Sequence, residues 1–236
     1  MTKPLSWFIF LLLQCMVYSG VAQEVHLIPQ IGVNLGTYNF DKTLNNTSQQ
    51  RLAPGLTAGV GFNIAFSSSR DFILQPEINY SMRNSITDFI STGQTTDPAT
   101  TIRQKTQLHY IDIPLLARFD FGVSTRYYIN VGPSISYAFA GRESYESSTI
   151  ANFDNISRKA DFNEKFNRID WGVWLGGGVE IPVNDSFLLL DGRYGIGMRD
   201  LYKNMSIPGA GSEETAIGND GRSRLFHITV GYALPL

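Results

Sequence analysis

The side chains best suited to bond chemistry are His26, His109 and His227, and the last of these has Ser223 and Asp220 shortly before it. A hydroxyl, an imidazole and a carboxylate are the parts of an acyl-transfer site, in which the base takes the nucleophile's proton and the acid orients the base. The surroundings do not continue that pattern. The chain has no Gly-x-Ser-x-Gly turn and no His-x-Ser strand motif. The run WLGGGVE, from Trp174 to Glu180, lacks the Lys-Ser/Thr pair of a phosphate loop. With no Cys/His cluster and no EF-hand loop, neither a metal nor another cofactor is expected, and the chain reads as non-enzymatic.

A second set of residues is defined by charge: Glu77, Arg83, Asp112, Arg118, Glu180, Asp191 and Arg193. All fall on one parity of segments whose other parity is apolar. An isolated charge taken out of water costs several kcal/mol, so acids and bases facing a narrow interior must pair and hydrogen-bond with each other. These seven are expected to form a polar lumen network that fills an interior, without a catalytic or binding role.

The elements that must position them are strands. From Gly55 to Phe66, Leu56, Ala58, Val60, Phe62, Ile64 and Phe66 alternate with Gly55, Thr57, Gly59, Gly61, Asn63 and Ala65. Period-two reading gives eight candidate strands, at about 27–38, 55–66, 72–86, 106–121, 126–140, 168–183, 187–201 and 223–236. Three connections are tight turns, whereas 39–54, 87–105, 141–167 and 202–222 are long and polar, the third being the most charged. An even number of strands with alternately short and long connections is the arrangement of a transmembrane β-barrel, long loops outside and termini within. That gives an all-β class: an eight-stranded antiparallel up-and-down transmembrane barrel with a filled polar lumen.

Aromatic residues gather at strand ends. Phe66, Phe119, Phe121, Tyr127 and Tyr232 are expected near the inner rim, and Tyr38, Tyr80, Tyr137, Phe139, Trp171 and Phe226 near the outer rim. A secreted soluble barrel, apolar inside, is the alternative, but a polar face rich in Gly, Ser and Asn counts against it. Pro76, Pro114, Pro133 and Pro182 lie inside candidate strands, where each removes a ladder donor. Bulges are expected to absorb them, with a parity slip between Tyr110 and Ile111.

The chain of 236 residues carries a formal charge of −2 and no Lys/Arg run, which excludes a nucleic-acid footprint. Lys3, the apolar stretch from Leu5 to Val17 and the small residues Ser19 to Ala22 form an export signal, so residues 1–22 are expected to be removed and 23–236 to form one barrel domain. Cys15 lies inside that signal, and a lipoprotein reading is disfavoured by Gln14 before it.

Four stretches carry a more specific likeness: YIDIPLLARF at Tyr110–Phe119, YYINVGPSISYAF at Tyr127–Phe139, DWGVWLGGGVEI at Asp170–Ile181 with LLLDGRYGIGM at Leu188–Met198, and RLFHITVGYAL at Arg224–Leu234. They resemble the PorT-like outer-membrane β-barrel family of Bacteroidetes. The resemblance implies a barrel of the OmpA/OmpX type in the cell outer membrane, with both termini periplasmic. The branch that gives the family its name acts in secretion of exported proteases, and no motif here marks that branch. The expected partners are outer-membrane lipid and lipopolysaccharide, the barrel assembly machinery acting through Tyr232 and Leu234, and a protein partner at the extracellular loops. The leading function is structural or adhesive; secretion accessory, small pore and lipid A-modifying enzyme are the alternatives.

Overall fold

The computed structural model describes residues 24–39, 48–66, 70–91, 100–147, 156–203, 205–208, 214–218 and 221–236. The expected signal at 1–22 lies outside them. The strands are β1 (Glu24–Asn39), β2 (Ser48–Ala65), β3 (Phe72–Ser91), β4 (Thr100–Phe121), β5 (Arg126–Ser147), β6 (Ile156–Lys159), β7 (Ile169–Val183), β8 (Ser186–Asp200), β9 (Met205–Pro208), β10 (Glu214–Gly218) and β11 (Arg222–Pro235). Eight of them close a ring in the order β1-β2-β3-β4-β5-β7-β8-β11, with β11 returning to β1 and every pair antiparallel. β6 adds to β5 beyond the ring, and β9 pairs with β10.

Which parity faces in is decided by burial. Glu180 is 0% exposed, whereas Leu175 on the same strand is 61% exposed. A carboxylate more buried than a leucine reverses the order of a water-soluble barrel, and the pattern repeats in Asn34 against Ile31 and Asn130 against Ile129. The outer surface is therefore built for lipid, and the soluble alternative falls. From Tyr127 to Phe139, β5 has the length a strand tilted by about 45° needs to cross the hydrocarbon.

Aromatic rings mark both limits of that band. At the short-turn end Phe72 lies 6.1 Å from Phe66 and 5.2 Å from Phe119, and Phe121 lies 6.1 Å from Tyr127. At the opposite end Tyr80, His109 and Phe139 stand within 5.9–6.3 Å of one another, centroid to centroid. Tyr38 was expected in that second belt and is instead buried in the lumen, because the inward parity of β1 continues to the end of the strand.

Three further expectations are corrected. β4 keeps one parity throughout, Tyr110 facing inward with Asp112. The irregularity next to it belongs to β5, where Tyr110 is opposite Ala138 and His109 opposite Ala140, so Phe139 is the extra residue. The prolines do not need bulges: Pro76 opposite Leu115 and Asn79 opposite Asp112 share one register, as do Pro114 opposite Ser134 and Ala117 opposite Val131. Each proline costs a local bond and the ladder resumes in step.

At the long-connection end, β2 through β5 run further than the apolar alternation indicated, into 48–54, 87–91, 100–105 and 141–147. Residues such as Gln49, Arg103 and Lys105 replace the apolar set there. A ladder needs only backbone groups, so pairing continues where the lipid-facing pattern stops.

Glycine decides where the largest inward rings fit. A methyl group at Gly178 would lie 2.6 Å from the Tyr128 ring, whereas one at Gly192, on the outward parity, would meet only a carbonyl oxygen at 4.0 Å. Gly178→Val is expected to destabilise the folded barrel by about 1–3 kcal/mol through overpacking, while Gly192→Val leaves it unchanged. Urea-dependent loss of the heat-modifiable gel band measures both.

Candidate functional site

The lumen is filled in layers that alternate between charge and ring. At the short-turn end Arg118 is held by Asp120 at 2.6 Å and by Glu180, and its guanidinium lies 3.8 Å from the Tyr128 ring centroid. Arg70, from the β2–β3 connection, reaches Glu180 at 3.3 Å. Above them Tyr128 packs with Ile28, Leu189 and Ala233. The next layer centres on Glu77, which accepts hydrogen bonds from Arg193 (2.8 Å), Gln75 (2.7 Å), Asn79 (2.8 Å) and Gln30 (3.0 Å). Asp191 pairs with the same arginine at 2.5 Å and accepts from Asn130 at 3.0 Å.

Leu116, Trp174 and Leu225 form the following apolar layer. The Trp174 indole N–H donates to Ser134 Oγ at 2.7 Å. Arg83 then pairs with Asp112, donates to Ser136 at 3.0 Å and stacks on Tyr110 at 4.1 Å. A charge buried in this way is tolerated because each guanidinium meets a carboxylate, and those of Arg118 and Arg83 an aromatic face as well.

All seven charged residues singled out from the sequence face the lumen, in three separate groups: Arg118 with Glu180, Glu77 with Asp191 and Arg193, and Arg83 with Asp112. Sequence reasoning left out Asp120 and Asp170, although both share the inward parity, and it left out Arg70, which no periodicity marks. It also missed the rings between the charges. Tyr110, Tyr128 and Trp174 occupy the parity read as polar, and that parity was the available signal.

The mouth at the long-connection end is covered. Asp161 caps a turn by accepting the N–H of Asn163 (2.8 Å) and of Glu164 (3.2 Å). That turn sets Phe162 and Phe166 over the opening, where they pack with Leu201 and Tyr202 above Tyr38, Leu108 and Tyr110. Phe166 and Tyr202 also pair through their backbones, with ring centroids 4.9 Å apart. Below this lid Glu143, one of the nine charges of the most charged long stretch, is buried. It accepts from Gln104 at 2.9 Å, and burial raises its pKa above the usual carboxylate range. The space left beside Arg83, Ser134, Asp170 and Trp174 is a cavity of about 10 Å³, room for one water.

The candidate acyl-transfer residues are not assembled. Ser223 donates to Asp170 at 2.7 Å, not to His227, whose ring lies edge-on to Trp174 at 4.5 Å deep in the lumen. Asp220 lies outside the described residues. His26 is buried at the opposite end beside Phe187. His109 does face lipid, with its Nδ1 2.7 Å from the Tyr80 hydroxyl, but its ring neighbours are Tyr80 and Phe139. Among the described residues no group of three or more His, Cys, Asp or Glu side chains is placed to hold a metal ion.

No curated protein matches the sequence. Solved structures with a similar course of chain include neisserial surface protein A, 12% identical, covering 87% of this chain and 95% of that one with a TM-score of 0.39. Ail, the attachment invasion locus protein of Yersinia pestis, is 12% identical over 91% of this chain and 100% of its own, with a TM-score of 0.41. OprG from Pseudomonas aeruginosa is 13% identical over 92% and 98%, with a TM-score of 0.46. The model of the outer membrane protein beta-barrel domain matches residues 21–203, the greater part of the chain. With that match, and a closed ring whose apolar side faces outward, the chain belongs to the outer membrane protein beta-barrel domain family and is a protein of the outer membrane.

Proposed function

We propose that this protein is a closed, non-conducting and non-catalytic barrel that presents its strand extensions and long connections to a partner outside the cell. The observation that carries this reading is the filled lumen: among the described residues, layers of paired charge and packed rings fill the bore under an aromatic lid. In support, β3, β4 and β5 continue about 10 residues past the Tyr80–Phe139 belt, which lifts a twisted sheet roughly 25 Å beyond the hydrocarbon at ordinary strand rise and tilt. In the same reading residues 1–22 are removed on export, both termini lie in the periplasm and the long connections lie outside. The four motifs favour a PorT-like member of Bacteroidetes, and an accessory role in protein secretion is the second reading they support.

Orientation is tested by cysteine labelling in intact cells. Asn163→Cys is expected to react with a membrane-impermeant maleimide, and Val123→Cys only after the outer membrane is permeabilised; the reverse would invert the topology. In planar bilayers the purified barrel is expected to give no steady conductance, and a large stable channel would overturn the closed lumen. Glu77→Gln leaves Arg193 with Asp191 alone, so it is expected to lower stability by about 3 kcal/mol, read as an earlier urea midpoint. His109→Ala is expected to leave the lipid A mass spectrum of the cells unchanged, and a lost or gained species would restore the enzyme reading.

A further inference from the structure

Just past the Tyr80–His109–Phe139 belt, the outward face of the sheet changes from apolar to basic. Asn84 is opposite Gln107, Gln107 opposite Arg142, and Arg142 opposite Lys159, a continuous row across β3, β4, β5 and β6. In the next row Lys105 stands between Ile86 and Ser144. Pro54, Asn84, Ile86, Lys105, Gln107 and Arg142 line an outward groove of about 390 Å³. It forms where β2 leaves regular pairing with β3 between Ala53 and Thr57.

Arg142 lines the groove and Lys159 stands beside it across the ladder, and among the described residues these two charges are not balanced. Arg142 and Lys159 are exposed and face each other across the ladder, a placement that costs stability when the charges are alike. Neither has an ion pair among the described residues. The carboxylate next in sequence, Glu143, points into the lumen and is held by Gln104. Lys105 is the one cation of the groove already engaged, by Glu146 at 2.7 and 2.9 Å. Two uncompensated cations held side by side by a rigid sheet, with amide donors in the same row, match a dianionic phosphate.

Position narrows the source of that phosphate. Arg142 is three residues past Phe139, about 10 Å along the strand, which places it at headgroup depth with an aromatic shelf below. We infer that this groove binds the phosphorylated headgroup of an outer-leaflet glycolipid: Arg142 and Lys159 hold the phosphate, Asn84 and Gln107 the sugar hydroxyls, and Tyr80, His109 and Phe139 carry the acyl chains. The inference rests on the reading that the long-connection end faces outward, since that is the leaflet such a lipid occupies.

The test uses the whole barrel in nanodiscs of zwitterionic phospholipid doped with bis-phosphorylated lipid A, with lipid retention read by native mass spectrometry. One lipid A is expected to stay bound, and dephosphorylated lipid A is expected to be lost. The double variant Arg142→Ala/Lys159→Ala should reduce retention at least about tenfold, the scale of losing two charge-assisted hydrogen bonds. Glu146→Gln, which releases Lys105, should increase it several-fold. A heat-modifiable band certifies that each variant is folded, and Lys203→Ala, at the lid, serves as the neutral control.

Equal retention of phosphorylated and dephosphorylated lipid, or undiminished retention in the double variant, would overturn the proposal. Full displacement of lipid A by inorganic phosphate would assign the groove to free phosphate and overturn the lipid assignment. Nanodiscs impose no cellular orientation, so failure here leaves the labelling result standing. Inverted labelling in cells would in turn leave the measured phosphate binding intact and remove only its placement in the outer leaflet.

Discussion

In hydrocarbon no water is available to satisfy a backbone N–H or C=O, so a sheet that crosses it must close on itself. Closure with eight strands fixes the rest of this molecule. The ring formed when β11 returns to β1 has no free edge inside the membrane band, and its bore is only wide enough for side chains. What a soluble domain does with an apolar core, this one must do with whatever its inward parity supplies.

That parity supplies charge and rings in turn. A lumen of charge alone would leave large desolvation costs, and a lumen of rings alone would leave hydroxyls and indole nitrogens without partners. Alternating them eases the first problem at shared sites. Arg118 lies on Tyr128 while bridging Asp120 and Glu180, and Arg83 lies on Tyr110 while pairing with Asp112. The rings shield the ion pairs from water and the ion pairs orient the guanidinium planes on which the rings stack. Removing one member therefore disturbs two layers, which is why the filling acts as one unit.

The sequence made the membrane part legible because two constraints act on every residue there: alternate positions must face lipid, and their neighbours must fit a bore. Gly55–Phe66 satisfies both, and its pairings place it in the ring. Legibility fell wherever one constraint lapsed. Above the aromatic belt lipid no longer selects the outward parity, so Lys105, Ser144 and their neighbours looked like loop although the ladder continues. Tyr38 was set in the belt because a tyrosine at a strand end suits a rim, and only its parity revealed the lumen. Phe162 and Phe166 form a lid through a turn capped by Asp161, and a turn carries no period to read. The lumen charges could be named as a set, but their division into three groups depends on strand stagger, which alternation does not encode.

A filled bore also decides where activity has to lie. With both faces of the membrane band committed, one to lipid and the other to packing, the surfaces left to selection are the two ends, and these are unequal. The short-turn end is little more than connections such as Asn184 and Asp185, whereas the other carries the sheet extension, the lid and an outward row of unbalanced cations. Arg142 opposite Lys159 is a cost to the fold that closure does not require. Unlike the buried pairs, it has no partner among the described residues to offset it, and this distinguishes a surface kept for something outside the chain from one kept for stability.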